Sequence, residues 1–159
     1  MTAEPDPQDL SALRHEIDEV ERHTVRTVEL GPRAMIIAIA VFVLIVGHVL
    51  PWMNGANGLE VLLGEHDAVG KASTVPRLFA ATSAGFGILA SALTLITRRW
   101  WLAWASALGG WFASVDGILA IWSRQSAPGH TGPGLGLVIA EIAMVVIAAQ
   151  WFRTAWSRT

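Results

Sequence analysis

The stretch from residue 133 to residue 152 reads PGLGLVIAEIAMVVIAAQWF and decides the predicted fold class. Its twenty residues contain one charged side chain, Glu141. At about 1.5 Å per residue they form a helix of about 30 Å, which matches the hydrocarbon core of a membrane. Three more stretches have this character, residues 34–53, 78–97 and 100–123. The sequence therefore predicts an all-α membrane protein whose four transmembrane helices form an antiparallel bundle.

The composition favours the same class. Of the 159 residues, 53% are hydrophobic and 15% are charged, whereas about 25% are charged in a typical soluble domain. Eight of the thirteen acidic residues lie within residues 1–30, so the remaining charges are sparse. This distribution excludes an ordinary soluble enzyme. The absence of cysteine from the chain also excludes disulfides, thiolate metal sites and cysteine nucleophiles.

The basic residues predict how the spans are oriented. Eight of the eleven arginines and lysines fall on the side that holds both chain ends, and an excess of these residues marks the cytoplasmic side. We therefore expect a multi-pass protein of the inner (plasma) membrane with both termini in the cytoplasm. Its parts are an arm over residues 1–33, a membrane domain over 34–152 with an outer loop at 51–76, and a tail over 153–159. Tryptophans at the predicted span ends read as an aromatic belt: Trp100, Trp101, Trp104, Trp151 and Trp156 at the inner interface, Trp52 and Trp122 at the outer one.

The arm is predicted to be a cytoplasmic amphipathic helix. Its apolar residues follow a helical 3-4-3 spacing: Leu10, Leu13, Ile17 and Val20. Residues 9–30 carry six acids against three arginines, and this excess argues against a helix lying on an anionic membrane. The arm then docks on a partner, pairs with a second copy or forms a solvated stalk. The outer loop holds either a short interfacial helix or a packed loop cap.

Two carboxylates, Asp116 and Glu141, are the only charges inside the predicted spans, and ionisable residues at such positions are candidates for function. Each lies roughly 10–12 Å below the predicted outer end of its helix. We expect them to form a cluster with His48, Arg77 and Arg124, which end or begin neighbouring spans on that side. The pair then serves as a structural hydrogen-bonded pair, as a proton or ion site, or as a contact with a partner's charge.

Small residues recur on helix faces and predict close helix packing. The candidate packing residues are Ala105, Gly109, Ala84, Gly87, Gly132, Gly136 and Ala140. The face with Gly132, Gly136 and Ala140 lies well round from Glu141. One face of the last span is therefore available to the bundle and the other to a second subunit.

Sequence motifs for catalysis and ligand binding were not found. The sequence lacks a G-x-S-x-G elbow, a P-loop lysine and the paired aspartates of an intramembrane protease. The five histidines show no metal-ligand spacing. No basic patch with interleaved aromatic residues appears in the sequence. We therefore expect no enzyme activity, cofactor, metal or nucleic-acid partner.

The layout resembles a family of small, uncharacterised, conserved four-span membrane proteins of mycobacteria and related actinobacteria. The resemblance rests on the acidic arm, GPRAM at residues 31–35, LPW at residues 50–52 and the tryptophan-rich later spans. It implies an actinobacterial inner-membrane protein and no particular activity.

Taken together, these patterns predict a non-enzymatic accessory or interaction subunit of a membrane assembly. Its partners are the lipid bilayer and either a membrane protein or further copies of itself. The alternative is a homo-oligomeric channel or proton-coupled small transporter that uses the two carboxylates.

Overall fold

A computed structural model describes residues 11, 14–15, 31–53, 55–64, 74–126 and 132–157. Four long helices dominate these residues: α1 (Gly31–Val49), α3 (Thr74–Thr97), α4 (Trp100–Ser126) and α5 (Leu135–Trp156). A two-stranded hairpin, β1 (Pro51–Met53) and β2 (Ala56–Asn57), and a short helix α2 (Gly58–Leu63) follow α1. The four residues predicted to dock the arm, Leu10, Leu13, Ile17 and Val20, lie outside the described residues.

The long helix α3 changes its winding midway. It is α-helical over Thr74–Thr82, π-helical over Ser83–Ala90 and α-helical again over Ser91–Thr97. The Ser83 hydroxyl donates to the carbonyl of Phe79, and the Ser91 hydroxyl donates to the carbonyl of Phe86. Such back-bonding competes with the regular helical ladder. The π segment thus begins and ends beside serines that supply alternative donors.

The connection after α1 is closed by local turn chemistry. Pro51 prevents α1 from continuing, so the chain turns into the antiparallel hairpin through Gly55, whose φ is +85°. Asn57 then caps α2: its side chain accepts from the Glu60 amide, and the Glu60 carboxylate accepts from the Asn57 amide. This region therefore contains a six-residue helix that packs as a cap over one end of the bundle.

Helix α5 packs against α1 and α4, and α3 packs mainly on α4 and also contacts α1 and α5. Small residues bring the backbones together, since a Cβ on Gly47 would lie 3.0 Å from the Ala140 backbone nitrogen. The backbone amide of Gly134 also donates to the carbonyl of Trp52 at 2.7 Å. The interior is filled by large apolar side chains: Ile37, Leu44, Leu137, Met144, Ile147 and Trp151.

The candidate packing residues lie in three environments. Gly87, Gly109, Gly136 and Ala140 are buried between helices, Ala84 and Ala105 are half-buried, and Gly132 is exposed with no atom near its Cβ position. The α5 face with Gly136 and Ala140 packs on α1 within the same chain. That face is therefore covered by α1 of the same chain and is not available to a second subunit.

The outer faces of the helices are apolar. Phe42 is 66% exposed, Leu108 61% and Ile118 58%. By length and composition alone, the four long helices could each cross a membrane. Helix length and composition do not by themselves identify a membrane protein.

Candidate functional site

The two predicted carboxylates come together in the interior between α3, α4 and α5. Asp116 is 5% exposed and accepts a hydrogen bond from the Thr82 hydroxyl at 3.2 Å. Glu141 is 6% exposed, and within the described part of the chain its two carboxylate oxygens have no hydrogen-bond partner. Gly117 makes room for it, because a Cβ at that position would overlap a Glu141 oxygen.

Burial controls the ionisation of this pair. Desolvation, together with the nearby negative charge of Asp116, raises the pKa of Glu141 to about 7. Desolvation also raises the pKa of Asp116, against the lowering effect of the Thr82 hydrogen bond. A protonated Glu141 is thus the form that the interior favours, since an uncharged carboxyl tolerates burial without an ion partner.

His48 belongs to an adjacent polar contact on α1. Its Nδ1 lies 3.0 Å from the Leu44 carbonyl oxygen, and its Nε2 lies 3.2 Å from the Ser83 hydroxyl on α3. Burial lowers the pKa of His48, although hydrogen bonds to backbone carbonyls act in the opposite direction. The ring also packs against Trp52 at 5.0 Å between centroids. His48 therefore acts as a neutral, hydrogen-bonded part of the core.

The two arginines of the predicted cluster take different positions. Arg77 is exposed on α3, and its guanidinium carbon lies 3.6 Å from the Cβ position of Gly64 at the end of α2. Arg124 is 7% exposed on α4. Among the described residues, no group of three or more histidines and carboxylates is suited to a metal ion. Of the predicted cluster, Asp116 and Glu141 are thus brought close enough to interact electrostatically.

A second arrangement lies at the opposite end of the bundle, where α1 begins and α5 ends. The Arg33 guanidinium donates to the Ser157 hydroxyl at 3.3 Å and to the Arg153 carbonyl at 3.5 Å. Arg33, Phe152, Arg153, Trp156 and Ser157 line a surface pocket of about 280 Å³. The first residues of α1 and the last residues of α5 thus form one site.

Aromatic rings continue from this pocket across α4. Trp156 stacks on Phe152 at 5.5 Å, Phe152 meets Trp104 edge-on at 6.4 Å, and Trp104 meets Trp100 edge-on at 6.1 Å. Trp156 is 61% exposed and Trp100 is 42% exposed. These four rings form a continuous aromatic row.

Arginines flank this row. Arg98 and Arg99 are exposed at the corner between α3 and α4, next to Trp100, and Arg98 adopts the left-handed conformation with φ of 53°. The described residues contain three carboxylates. Glu60 lies in the cap at the far end, and Asp116 and Glu141 lie roughly 16–18 Å along their helices from the nearest ring of the aromatic row. We call this end, with Arg33, Arg98, Arg99, Arg153 and the aromatic row, the arginine–tryptophan end.

The sequence shows no basic patch with interleaved aromatic residues, but the fold brings such residues together at this end. No local run of sequence contains one, because its residues come from α1, the α3–α4 corner and the end of α5. The alternating directions predicted for the four long helices already place these residues at one end of the bundle. This was the sequence signal that could have identified the patch. Trp151 is a separate case: it is buried, and its indole donates to the Ser91 hydroxyl at 2.9 Å, so it belongs to the core.

Comparison with known proteins gives a family. Residues 14–159 match the family model described as the MiaB C-terminal domain. A curated relative from Mycobacterium avium (strain 104), named tRNA-2-methylthio-N(6)-dimethylallyladenosine synthase, is 45% identical over 156 residues. The match covers 97% of this chain and 22% of the relative, so the chain spans about a fifth of that protein's length. No solved structure matches the chain.

The family match corrects the predicted resemblance and fold class. The chain was expected among uncharacterised four-span membrane proteins of mycobacteria and their relatives, and that assignment is wrong because the matching family is the MiaB C-terminal domain. The fold is accordingly an all-helical domain of that family. The long apolar segments were interpreted as transmembrane spans from length and composition alone, which is insufficient evidence.

The functional expectations are corrected by the same findings. The accessory membrane subunit and the alternative channel or proton-coupled transporter are both wrong, because the matched relative is by name a synthase of a modified tRNA nucleoside. The expectation of no enzyme activity is wrong for the same reason, because the matched relative is by name an enzyme. The expected partners (a lipid bilayer, with a membrane protein or further copies, and no nucleic acid) and the inner-membrane localisation are overturned with it.

Proposed function

Because the chain belongs to the MiaB C-terminal domain family, we propose that it holds tRNA for a tRNA-modifying enzyme. The relative's name supports the substrate class. The reaction itself is assigned to the part of the longer relative that this chain does not cover. This chain contains no cysteine, so it supplies neither a thiolate ligand nor a thiolate nucleophile.

The observation that carries the proposal is the arginine–tryptophan end. RNA offers phosphates to arginines and base faces to aromatic rings, and proteins that bind it combine these two residue types on one surface. Here four arginines flank a row of four rings. The nearest described carboxylates are two or more helical turns deeper in the bundle, so they do not oppose an approaching phosphate chain.

The overall charge of −2 does not conflict with this role. The described residues from 31 onward contain six arginines against three carboxylates. Two of these carboxylates, Asp116 and Glu141, are buried in the interior and so are not presented to a ligand at the surface. The exposed charges of the described residues from 31 onward are therefore predominantly basic, which supports contact with tRNA phosphates.

The test is a titration of fluorescently labelled tRNA with the full chain, followed by anisotropy between about 50 and 200 mM salt. Affinity should fall steeply with salt, because each arginine that contacts a phosphate releases counterions. Replacing Arg98 and Arg99 by alanine should weaken binding and reduce the slope of log affinity against log salt. The matched control is Arg77→Ala, an exposed arginine at the opposite end, which should leave both quantities unchanged.

Two outcomes would contradict the proposal. One is a wild-type chain that does not bind tRNA even at the lowest salt. The other is equal weakening by the control and the paired variant, which would mean that binding depends on total charge and not on this end.

A further inference from the structure

The pocket beside Trp156 has features that a phosphate-binding surface alone does not require. Its five lining residues combine two arginines, two aromatic rings and a hydroxyl around about 280 Å³. This volume lies at the lower limit of small-ligand pockets. Long exposed arginines would be sufficient to hold the backbone of a double helix, and they need no recess between aromatic rings.

The rings of the pocket are arranged for stacking. Phe152 and Trp156 lie nearly parallel, with an interplanar angle of 30° and 5.5 Å between centroids. Trp156 is supported by Phe152 and is 61% exposed, so the pair forms a fixed aromatic platform. A base can reach such a platform only when it is unpaired, because paired bases are stacked within their own helix.

The polar residues of the pocket suit a phosphate next to that base. Arg33 is held by its bonds to the Arg153 carbonyl and the Ser157 hydroxyl. Both bonds are made by Nη1, whereas a guanidinium carries five N–H donors in a planar fork that matches phosphate oxygens. Arg153 lines the same pocket from α5. Two arginines thus border one side of the aromatic platform.

We propose that this pocket binds one unpaired nucleotide of tRNA, with its base on the Phe152–Trp156 platform and its phosphate between Arg33 and Arg153. The inference rests on the proposed function and adds to it a selectivity for single-stranded over double-helical RNA. The rest of the arginine–tryptophan end contacts phosphates of either form.

The experiment compares two labelled probes, a short single-stranded oligoadenylate and a blunt RNA duplex of the same length, titrated with the full chain. Trp156→Ala should reduce affinity for the single strand by roughly 5- to 150-fold, the range measured for losing one stacked base. Its affinity for the duplex should stay unchanged. Trp156→Phe should restore most of the single-strand affinity, because a flat ring returns to the platform.

The matched control is Trp122→Ala. Trp122 is 65% exposed on α4 toward the other end of the bundle, so its removal should affect neither probe. Circular dichroism of each variant establishes that the helices are retained. Arg153→Ala should weaken both probes and lower the salt slope.

The outcomes separate the pocket from the proposed function. If the wild type binds tRNA but Trp156→Ala lowers single-strand and duplex affinity equally or not at all, the nucleotide pocket is refuted and tRNA holding stands. If the wild type binds neither tRNA nor either probe, both proposals fail. Binding to anionic phosphatidylglycerol vesicles without binding to RNA would identify this end as a lipid contact and overturn both.

Discussion

The Glu141 carboxylate of α5 occupies the space left by the missing side chain of Gly117 on α4. A Cβ at position 117 would overlap a Glu141 oxygen and would lie 2.8 Å from a ring carbon of Phe79. Three helices therefore meet at one glycine. The buried acid is thus accommodated by the absence of a side chain at position 117.

Gly117→Ala should therefore destabilise the fold by about 1–3 kcal/mol, the usual cost of forcing an extra carbon into a packed core. Urea unfolding followed by circular dichroism measures this. Gly85→Ala is the matched control, because Gly85 is also within a long helix and has no atom within 4 Å of its Cβ position. There alanine should be neutral or stabilising. Equal effects at both positions would show that the contact with Glu141 does not limit the packing.

Glu141→Gln should change the pH dependence of stability. Because burial raises the pKa of Glu141 from 4.5 to about 7, the folded protein holds a proton between these values that the unfolded chain releases. Stability from this group is complete below pH 4.5 and is lost as the pH rises through 7. The shift corresponds to roughly 3 kcal/mol. The glutamine variant should be more stable than the wild type at pH 8 and should lack this loss.

His48 provides a control for the comparison of the wild type with Glu141→Gln. Burial lowers the pKa of His48, so its contribution is present above pH 6.5 and decreases as the pH falls. This trend opposes that of Glu141 and persists in Glu141→Gln. Unfolding curves of the two proteins at several pH values should therefore converge in acid and separate in base. Parallel curves across the whole range would refute the assignment of a raised pKa to Glu141.

Trp52→Phe should cost about 1–3 kcal/mol of stability, because it leaves a buried carbonyl without its donor. The Trp52 indole donates to the Gly47 carbonyl at 2.7 Å, and its ring stacks on Phe79 at 5.3 Å. Phenylalanine keeps an aromatic ring and loses the N–H. Trp122→Phe, at an exposed position, should leave the unfolding midpoint unchanged. A comparable loss in both variants would contradict the importance of this hydrogen bond.

Arg98→Gly should raise stability while weakening tRNA binding. Arg98 ends α3 in the left-handed conformation, which costs a residue with a side chain about 1 kcal/mol and costs glycine little. Arg99→Gly removes the same charge from a position without a positive φ, so it should lower stability by about 0.5–1 kcal/mol. Thermal unfolding and tRNA anisotropy on both variants test the contrast. If both replacements stabilised the protein, relief of backbone strain at Arg98 would be ruled out as the cause of the stabilisation by Arg98→Gly.

The apolar stretches of the sequence mark where the long helices lie, but not how they end. Residues 34–53 read as one segment, whereas α1 ends at Val49 and the residues after it form a hairpin. Pro51 is the local reason. By hydropathy the last stretch stops at residue 152, yet α5 continues to Trp156, with Thr154 and Ala155 buried against the bundle. Tertiary packing can therefore extend a helix beyond the residue at which hydropathy alone places its end.

The candidate site was harder to predict for a different reason. Arg33 and Ser157 are 124 positions apart and become neighbours only through the packing of α1 on α5. Arginines and tryptophans at helix ends are typical of a membrane interface and equally of an RNA-binding surface, so residue type and position alone could not distinguish the two. The π-helical segment of α3 contains two glycines, Gly85 and Gly87, which weaken a regular α-helix but do not by themselves indicate π-helical winding.

The packing of α1 against α5 also has a consequence for synthesis on the ribosome. The chain is made from its amino end, so α1 is made well before α5, the helix that packs on Gly47. Contacts between such distant segments form slowly, and apolar surface exposed in the meantime promotes aggregation. During translation α1 therefore lacks its main packing partner until α5 has been made, and we expect a nascent chain of this fold to need a chaperone most in this interval.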